Sequence, residues 1–183
     1  MEEQYLPTVG DLVIATIHHS SVDVFFASIS DYAPNATLPQ LSFEGATKKT
    51  RPMLAAGSLV YARVTLANKH MDPELECVTS STGKSEGLGP LIGGMLFNVS
   101  LGMTRRLMFS KPAEQGGLVI LEELGGAGVP FEIAVGRNGK VWVDSKSVKT
   151  TLGIGRAIQD TDSKGLNLEE QKKLAKKVVR EVS

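Results

Sequence analysis

The chain reads as a β domain followed by an α+β domain, and three observations predict it. From Gly10 to about Ser81, short alternating runs of Val, Ile, Leu and Phe succeed one another with turn residues between them. Thr82–Pro90 is a connection rich in Gly and Ser, the kind of composition that marks a boundary. Beyond it the period changes, and helix-spaced stripes alternate with two further strands.

In the first half, Asp11–Ile17 and Val22–Ile29 are β-rich runs parted by His18-His19-Ser20-Ser21, which reads as the turn. A third strand is expected over Thr37–Phe43, after the turn-prone Pro34-Asn35. A long polar connection, Glu44–Arg51, and an extended Pro52–Ala56 follow. Ser58–Leu66 is the clearest strand, with Leu59, Tyr61, Arg63 and Thr65 alternating against Val60, Ala62, Val64 and Leu66. Glu74–Val78 completes the set. Five short strands in about 70 residues, with one long loop between the third and fourth, suit a small OB-type barrel.

In the second half, Met95–Val99 reads as a strand, and Ser100 is placed to cap a short helix through Phe109. Leu118-Val119-Ile120-Leu121 fits strand or helix equally. Phe131–Val143 carries two alternating runs around Gly136-Arg137-Asn138-Gly139. These four residues read as a hairpin turn of type I′, with Asn138 and Gly139 both at positive φ, and equally match the Gly-x-x-Gly pattern of a nucleic-acid clamp. The flanking alternation favours the hairpin. Ser147 is placed to cap a helix through about Asp160, although Gly153 and Gly155 each cost about 1 kcal/mol of helix propensity. In the last helix Asn167 with Glu170 approximates a capping box. There Leu174, Val178 and Val182 form an apolar stripe opposite Lys172, Lys173, Lys176, Lys177 and Arg180. The domains expected are therefore 10–82 and 91–183, with 1–9 as an N-terminal extension.

Composition excludes more than it selects. At 183 residues, with 42% hydrophobic and 22% charged residues, the chain has the make-up of folded domains. No apolar run approaches the roughly 20 residues of a membrane helix, and the acidic Met-Glu-Glu-Gln-Tyr start lacks a signal-peptide pattern. Cys77 is the only cysteine, which rules out an intramolecular disulfide or a multi-cysteine zinc site and fits a reducing compartment. Net charge is zero, but residues 1–85 hold 6 basic and 9 acidic side chains against 14 and 11 in residues 86–183. That asymmetry is too weak to identify a nucleic-acid binder, so any such binding rests on local clusters.

Catalysis finds no candidate. Adjacent His18 and His19 would point to opposite faces of a strand and cannot share one metal ion. Asp11, Asp23 and Asp31 lack the spacing of a carboxylate site, and no Walker, Gly-x-Ser-x-Gly or His-Glu-x-x-His pattern is present. No metal or cofactor is expected. Lys48, Lys49 and Arg51 are different: three cations within four residues, on a loop of a kind that contacts oligonucleotides in OB barrels. Taken alone they are most simply a solvated basic loop. Arg105-Arg106 in the short helix reads as one outward side chain and one lying along the core. Phe131 and Trp142 read as packing residues.

The combination resembles a known family. Gly10-Asp11-Leu12-Val13-Ile14, the Phe43-Glu44-Gly45-Ala46-Thr47-Lys48-Lys49 core of Leu41–Pro52, Ala67–Glu74 and Phe131–Val143 are similar to segments of the S1/KH cap subunits of the eukaryotic RNA exosome. The likeness runs from about residue 6 to 160. Bacterial polynucleotide phosphorylase resembles the same pair of modules in the opposite order, so the barrel-first order favours the cap subunits. The resemblance implies an S1-type OB barrel followed by a KH-like domain. It also implies a non-catalytic subunit that helps guide single-stranded RNA, without sequence preference, into a central channel for 3′–5′ processing. Implied partners are the ring subunits and other cap subunits, in the nucleus, nucleolus and cytoplasm, with no membrane. It turns Lys48, Lys49 and Arg51 into candidate RNA contacts; Gly136, Arg137, Asn138 and Gly139 are read from the hairpin signal as a structural turn, with Gly136 leaving room for close backbone packing. The alternative is a purely structural protein-interaction module. Family members carry a further N-terminal domain before the barrel, so a fragment is expected; and the KH clamp position, around Lys111–Gly117, is not Gly-x-x-Gly.

Overall fold

In the computed structural model, residues 3–109 and 117–183 are described. They divide into two compact units. One is Gln4–Ile92 with the short segment Gly136–Asn138; the other comprises Gly93–Val135, Gly139–Ser183 and Glu3.

The first unit holds β1 (Leu12–Ser20), β2 (Val24–Ser28), β3 (Ala36–Pro39), β4 (Leu59–Leu66), β5 (Glu74–Glu76) and β6 (Gly89–Leu91). They pair in the order β1-β2-β3-β5-β4-β6, and β1 also pairs with β4, which closes five strands into a barrel. The β3–β5 pair is parallel and the others are antiparallel. Closure in this order is the OB topology that the strand spacing predicts. Alternation explains the interior: Val13, Ala15 and Ile17, Phe25 and Ala27, and Val60, Ala62 and Val64 all face inward and are buried. Phe43 closes the core edge-on to Phe25, with ring centroids 6.2 Å apart.

Three expectations need correcting here. His18 and His19 do not form a turn; β1 runs through both, with a register shift between Ile17 and His19. The third strand stops at Pro39, and Phe43 keeps only an isolated bridge to Cys77. The barrel unit also does not end at 82, because Gly89–Leu91 pairs with Leu59–Tyr61 of β4. Tyr5, in the expected extension, packs against the barrel core and donates its hydroxyl to Asp11 Oδ2 at 2.6 Å.

The second unit follows the expected order: β7 (Met95–Asn98), α1 (Leu101–Met108), α2 (Ile120–Gly126), β8 (Glu132–Gly136), β9 (Lys140–Asp144), α3 (Val148–Ser163) and α4 (Leu168–Val182). The ambiguous apolar run becomes α2, because Ile120 and Leu124 lie one helical turn apart and are both fully buried. The sheet order is β7-β9-β8, with Met95 opposite Val143 and Phe97 opposite Val141. Ser100, Ser147 and Asn167 each cap a helix through the side-chain oxygen, and Asn167 with Glu170 forms a complete capping box. Gln171 of α4 is buried yet satisfied: Oε1 accepts from Val119 N at 2.9 Å and Nε2 donates to Leu166 O at 3.0 Å. Gly155 explains its own presence in α3, since a Cβ there would lie within 2.0–2.3 Å of the Phe97 ring.

Candidate nucleic-acid interface

The basic loop leaves the barrel after β3 and is held at both ends. At its start, Ser42 O accepts from Cys77 N at 3.0 Å, beside buried Phe43. In its middle, the Thr47 hydroxyl accepts from Lys49 N at 3.3 Å and Thr50 N at 3.1 Å and lies 2.8 Å from the Thr50 hydroxyl. A threonine bonded to backbone N–H groups two and three residues ahead fixes a tight turn. Lys48 and Lys49 project from it, both exposed and neither in an ion pair among the described residues.

Arg51 is placed differently. Its Nη1 donates to Val22 O at 2.6 Å and to Gln40 Oε1 at 3.2 Å, and its Nε is buried with no acceptor among the described residues. Gln40 in turn donates from Nε2 to Ser21 O at 2.7 Å and from its backbone N to Asp23 O at 2.9 Å. The three cations that sequence spacing grouped together therefore split into two solvated ammonium groups and one partly buried guanidinium.

Sequence reasoning missed a neighbouring feature. On β2, Phe25 and Ala27 point inward, so Phe26 falls on the outer face, where its ring stacks on exposed His19 at a centroid distance of 4.6 Å and 22° between planes. The signal was the period-2 register of Val24–Ser28, which separates two adjacent phenylalanines onto opposite faces. A stacked, partly exposed pair on an OB sheet is the kind of surface on which bases stack without sequence preference.

Gly136-Arg137-Asn138-Gly139 makes the turn between β8 and β9. It is not the type I′ turn expected, because Asn138 is not at positive φ; only Gly139 is, at +76°. Three residues, Arg137 to Gly139, separate the two strands, and a loop of that length closes with a single left-handed residue at its end. Within the first unit, Gly136–Asn138 lies against the backbone of β1. Arg137 N donates to Leu12 O at 2.7 Å. Asn138, 7% exposed, accepts from Ile14 N at 3.1 Å and donates from Nδ2 to Ile14 O at 2.9 Å and Ile29 O at 3.0 Å. The β1–β2 ladder starts only at Thr16, so the Asn138 amide completes backbone bonds that β2 leaves open. A Cβ on Gly136 would sit 2.7 Å from Ile14 N and 2.4 Å from Asn138 Oδ1, which requires glycine there.

Other candidates do not assemble into a site. His18 is exposed on β1, and no group of three or more His, Cys, Asp or Glu side chains is arranged to hold a metal among the described residues. No described helix is long and apolar enough to cross a membrane. Arg105 and Arg106 are both exposed, against the expectation that one lies along the core, and Arg105 is 3.5 Å from Glu3. Trp142 is 5% exposed and donates to Gly93 O at 2.9 Å, and Phe131 packs against the second core. The Lys111–Gly117 connection lies, apart from Gly117, outside the described residues. Burial, with the Glu76 carboxylate beside it, pushes the Cys77 thiol up to about 12, so it is a neutral core group.

Comparison with known proteins agrees with this architecture. Residues 5–89 match the family described as exosome complex component RRP40, S1 domain, and residues 94–149 match the KH domain family. The exosome complex component rrp40 of Schizosaccharomyces pombe is 40% identical over 181 residues, covering 98% of this chain and 71% of that protein. The Saccharomyces cerevisiae RRP40 is 35% identical, covering 98% and 72%, and the Homo sapiens RRP40 is 38% identical, covering 86% of this chain but 54% of its own length. A crystal structure described provisionally as an exosome complex RNA-binding protein superposes with a TM-score of 0.73 at 25% identity, over 98% of both chains.

Proposed function

The chain belongs to the exosome complex component RRP40 family, and on that premise we propose that it is a non-catalytic, RNA-contacting cap subunit that helps guide single strands toward the channel of the complex. One observation carries the RNA part of this reading: Lys48 and Lys49 stand exposed, and outside any ion pair among the described residues, on a loop whose turn is fixed by Thr47, on the S1-family barrel. Two fixed cations neutralise phosphates without reading bases, which suits a subunit that must pass any sequence. The His19–Phe26 stack, a few residues along β1 and β2 from the Ser21–Asp23 segment, offers bases an equally sequence-tolerant surface.

The test is ultraviolet crosslinking of single-stranded RNA to the assembled complex. Lys48→Ala with Lys49→Ala is expected to reduce crosslinks to this subunit while the complex keeps its composition. Unchanged crosslinking would refute the RNA role of the loop. Loss of assembly with unchanged crosslinks per complex would favour the purely structural module instead.

A further inference from the structure

We propose that Arg51 is a positioning residue: it ties the basic loop to the β1–β2 connection and presents Lys48 and Lys49, and it does not itself neutralise a phosphate. This rests on the RNA reading above. Three segments meet at its side chain. Ser21–Asp23 contributes the Val22 carbonyl to Arg51 and the Ser21 and Asp23 carbonyls to Gln40. Gln40, just past β3, contributes Oε1 to Arg51. Arg51 closes the triangle from the far end of the loop.

The chemistry favours an anchor. A guanidinium serving phosphate directs its fork outward, where paired N–H groups meet two oxygens. Here Nη1 is committed to a neutral carbonyl at 2.6 Å and an amide oxygen at 3.2 Å, and Nε is enclosed without an acceptor among the described residues. Enclosing an unpaired N–H is unfavourable; the orientation persists because it lets Nη1 reach two acceptors on two separate segments. The arrangement also explains why spacing misleads. Thr47 fixes one side of the Lys48–Lys49 projection and Arg51 fixes the other, so the third cation of the cluster is the support of the first two.

The experiment measures binding of the full chain to a fluorescent single-stranded oligouridylate across a salt series. Four variants are compared: Arg51→Lys, Arg51→Met, Gln40→Met and the double Lys48→Ala, Lys49→Ala. Arg51→Lys keeps the charge and loses the two-acceptor geometry, while Gln40→Met changes no charge at all. Positioning predicts that all three single variants weaken binding about three- to tenfold by letting the loop disorder. Their slope of log K against log salt should stay as in the parent. The double lysine variant should instead flatten that slope by about 0.7 per lost phosphate contact. Amide exchange at Gln40 and Thr50 should rise in the Arg51 and Gln40 variants at unchanged melting temperature.

Wild-type affinity in Arg51→Lys, with a slope about 0.7 flatter in Arg51→Met, would make Arg51 a phosphate ligand and overturn the proposal alone. Unchanged affinity in Gln40→Met would overturn it too. A double lysine variant with the parental slope would remove the RNA reading of the loop, and the proposal with it.

Discussion

Asn138→Ala tests how much of the fold depends on one amide. The side chain makes three hydrogen bonds of 2.9–3.1 Å at a site only 7% exposed. Truncation leaves Ile14 N–H, Ile14 C=O and Ile29 C=O with no side-chain partner. Each buried bond contributes about 1 kcal/mol net, and a stranded buried group costs about 1–3 kcal/mol, so some re-solvation still leaves a loss of about 4 kcal/mol. For a chain of this size that corresponds to a fall in Tm of about 8–16 °C. Urea titration followed by circular dichroism reads the change in midpoint at constant m-value. Asn138→Asp sharpens the test, because it keeps the shape and Oδ1 but turns the donor toward two carbonyls into an acceptor. Ionised Asp is disfavoured there, so its folded pKa rises above the unfolded value near 3.9. The stability of this variant should therefore be greatest at low pH and fall as pH rises through the folded pKa. A loss below about 1 kcal/mol for Asn138→Ala would show that water or a rearranged turn replaces these bonds, and would refute the argument. An RNA-affinity loss exceeding the stability loss would return the turn to the clamp reading.

The remaining predictions concern packing, stacking and titration. Gly155→Ala should destabilise the second unit by about 1–3 kcal/mol despite its gain in helix propensity, because the new methyl overlaps the Phe97 ring. Gly153→Ala, which meets only the methyl carbons of Val178 and Val182 at 3.1–3.4 Å, should fall within about 1 kcal/mol of the parent in the same urea titration. Phe26→Ala should weaken binding of single-stranded RNA by about 1–3 kcal/mol at unchanged salt slope, since stacking releases no counterions; an unaltered affinity would remove the His19–Phe26 stack from the RNA surface. Cys77 should resist alkylation in the native protein at neutral pH and react on unfolding. Its raised pKa favours the folded state fully below the unfolded value near 8.5, and that contribution should disappear as pH rises toward about 12, which denaturation at pH 7 and pH 10 would detect.

What the sequence revealed and what it hid follow from the range of the interactions involved. The alternation of Ser58–Leu66, the capping box at Asn167 and the caps at Ser100 and Ser147 are local, so a window of a few residues contains the whole cause. β6 was invisible for the opposite reason. Gly89-Pro90-Leu91 has no β character of its own and is a strand only because β4 offers it a ladder. His18-His19 reads as polar punctuation, yet pairing with β2 and the Phe26 ring carries β1 through it. At the candidate interface, spacing found Lys48, Lys49 and Arg51 but not the division between them. That division is made by Val22 and Gln40, 29 and 11 residues away.

The same distinction resolves the two readings of Gly136–Gly139. A clamp of this pattern works because bare backbone meets the phosphates. Gly136 is indeed bare, but the space its missing side chain frees is filled by Ile14 N and the Asn138 carboxamide. The Arg137 N–H is spent on Leu12 O, and both ends of the Asn138 amide are spent on β1 and on Ile29. A phosphate could claim these donors only by displacing bonds that finish the backbone pairing of β1. Glycine at position 136 thus serves close approach, as in a clamp, but the approaching group is a strand of the same chain. The lysines proposed above to meet RNA differ in just this respect: among the described residues, neither Lys48 nor Lys49 is drawn into an ion pair.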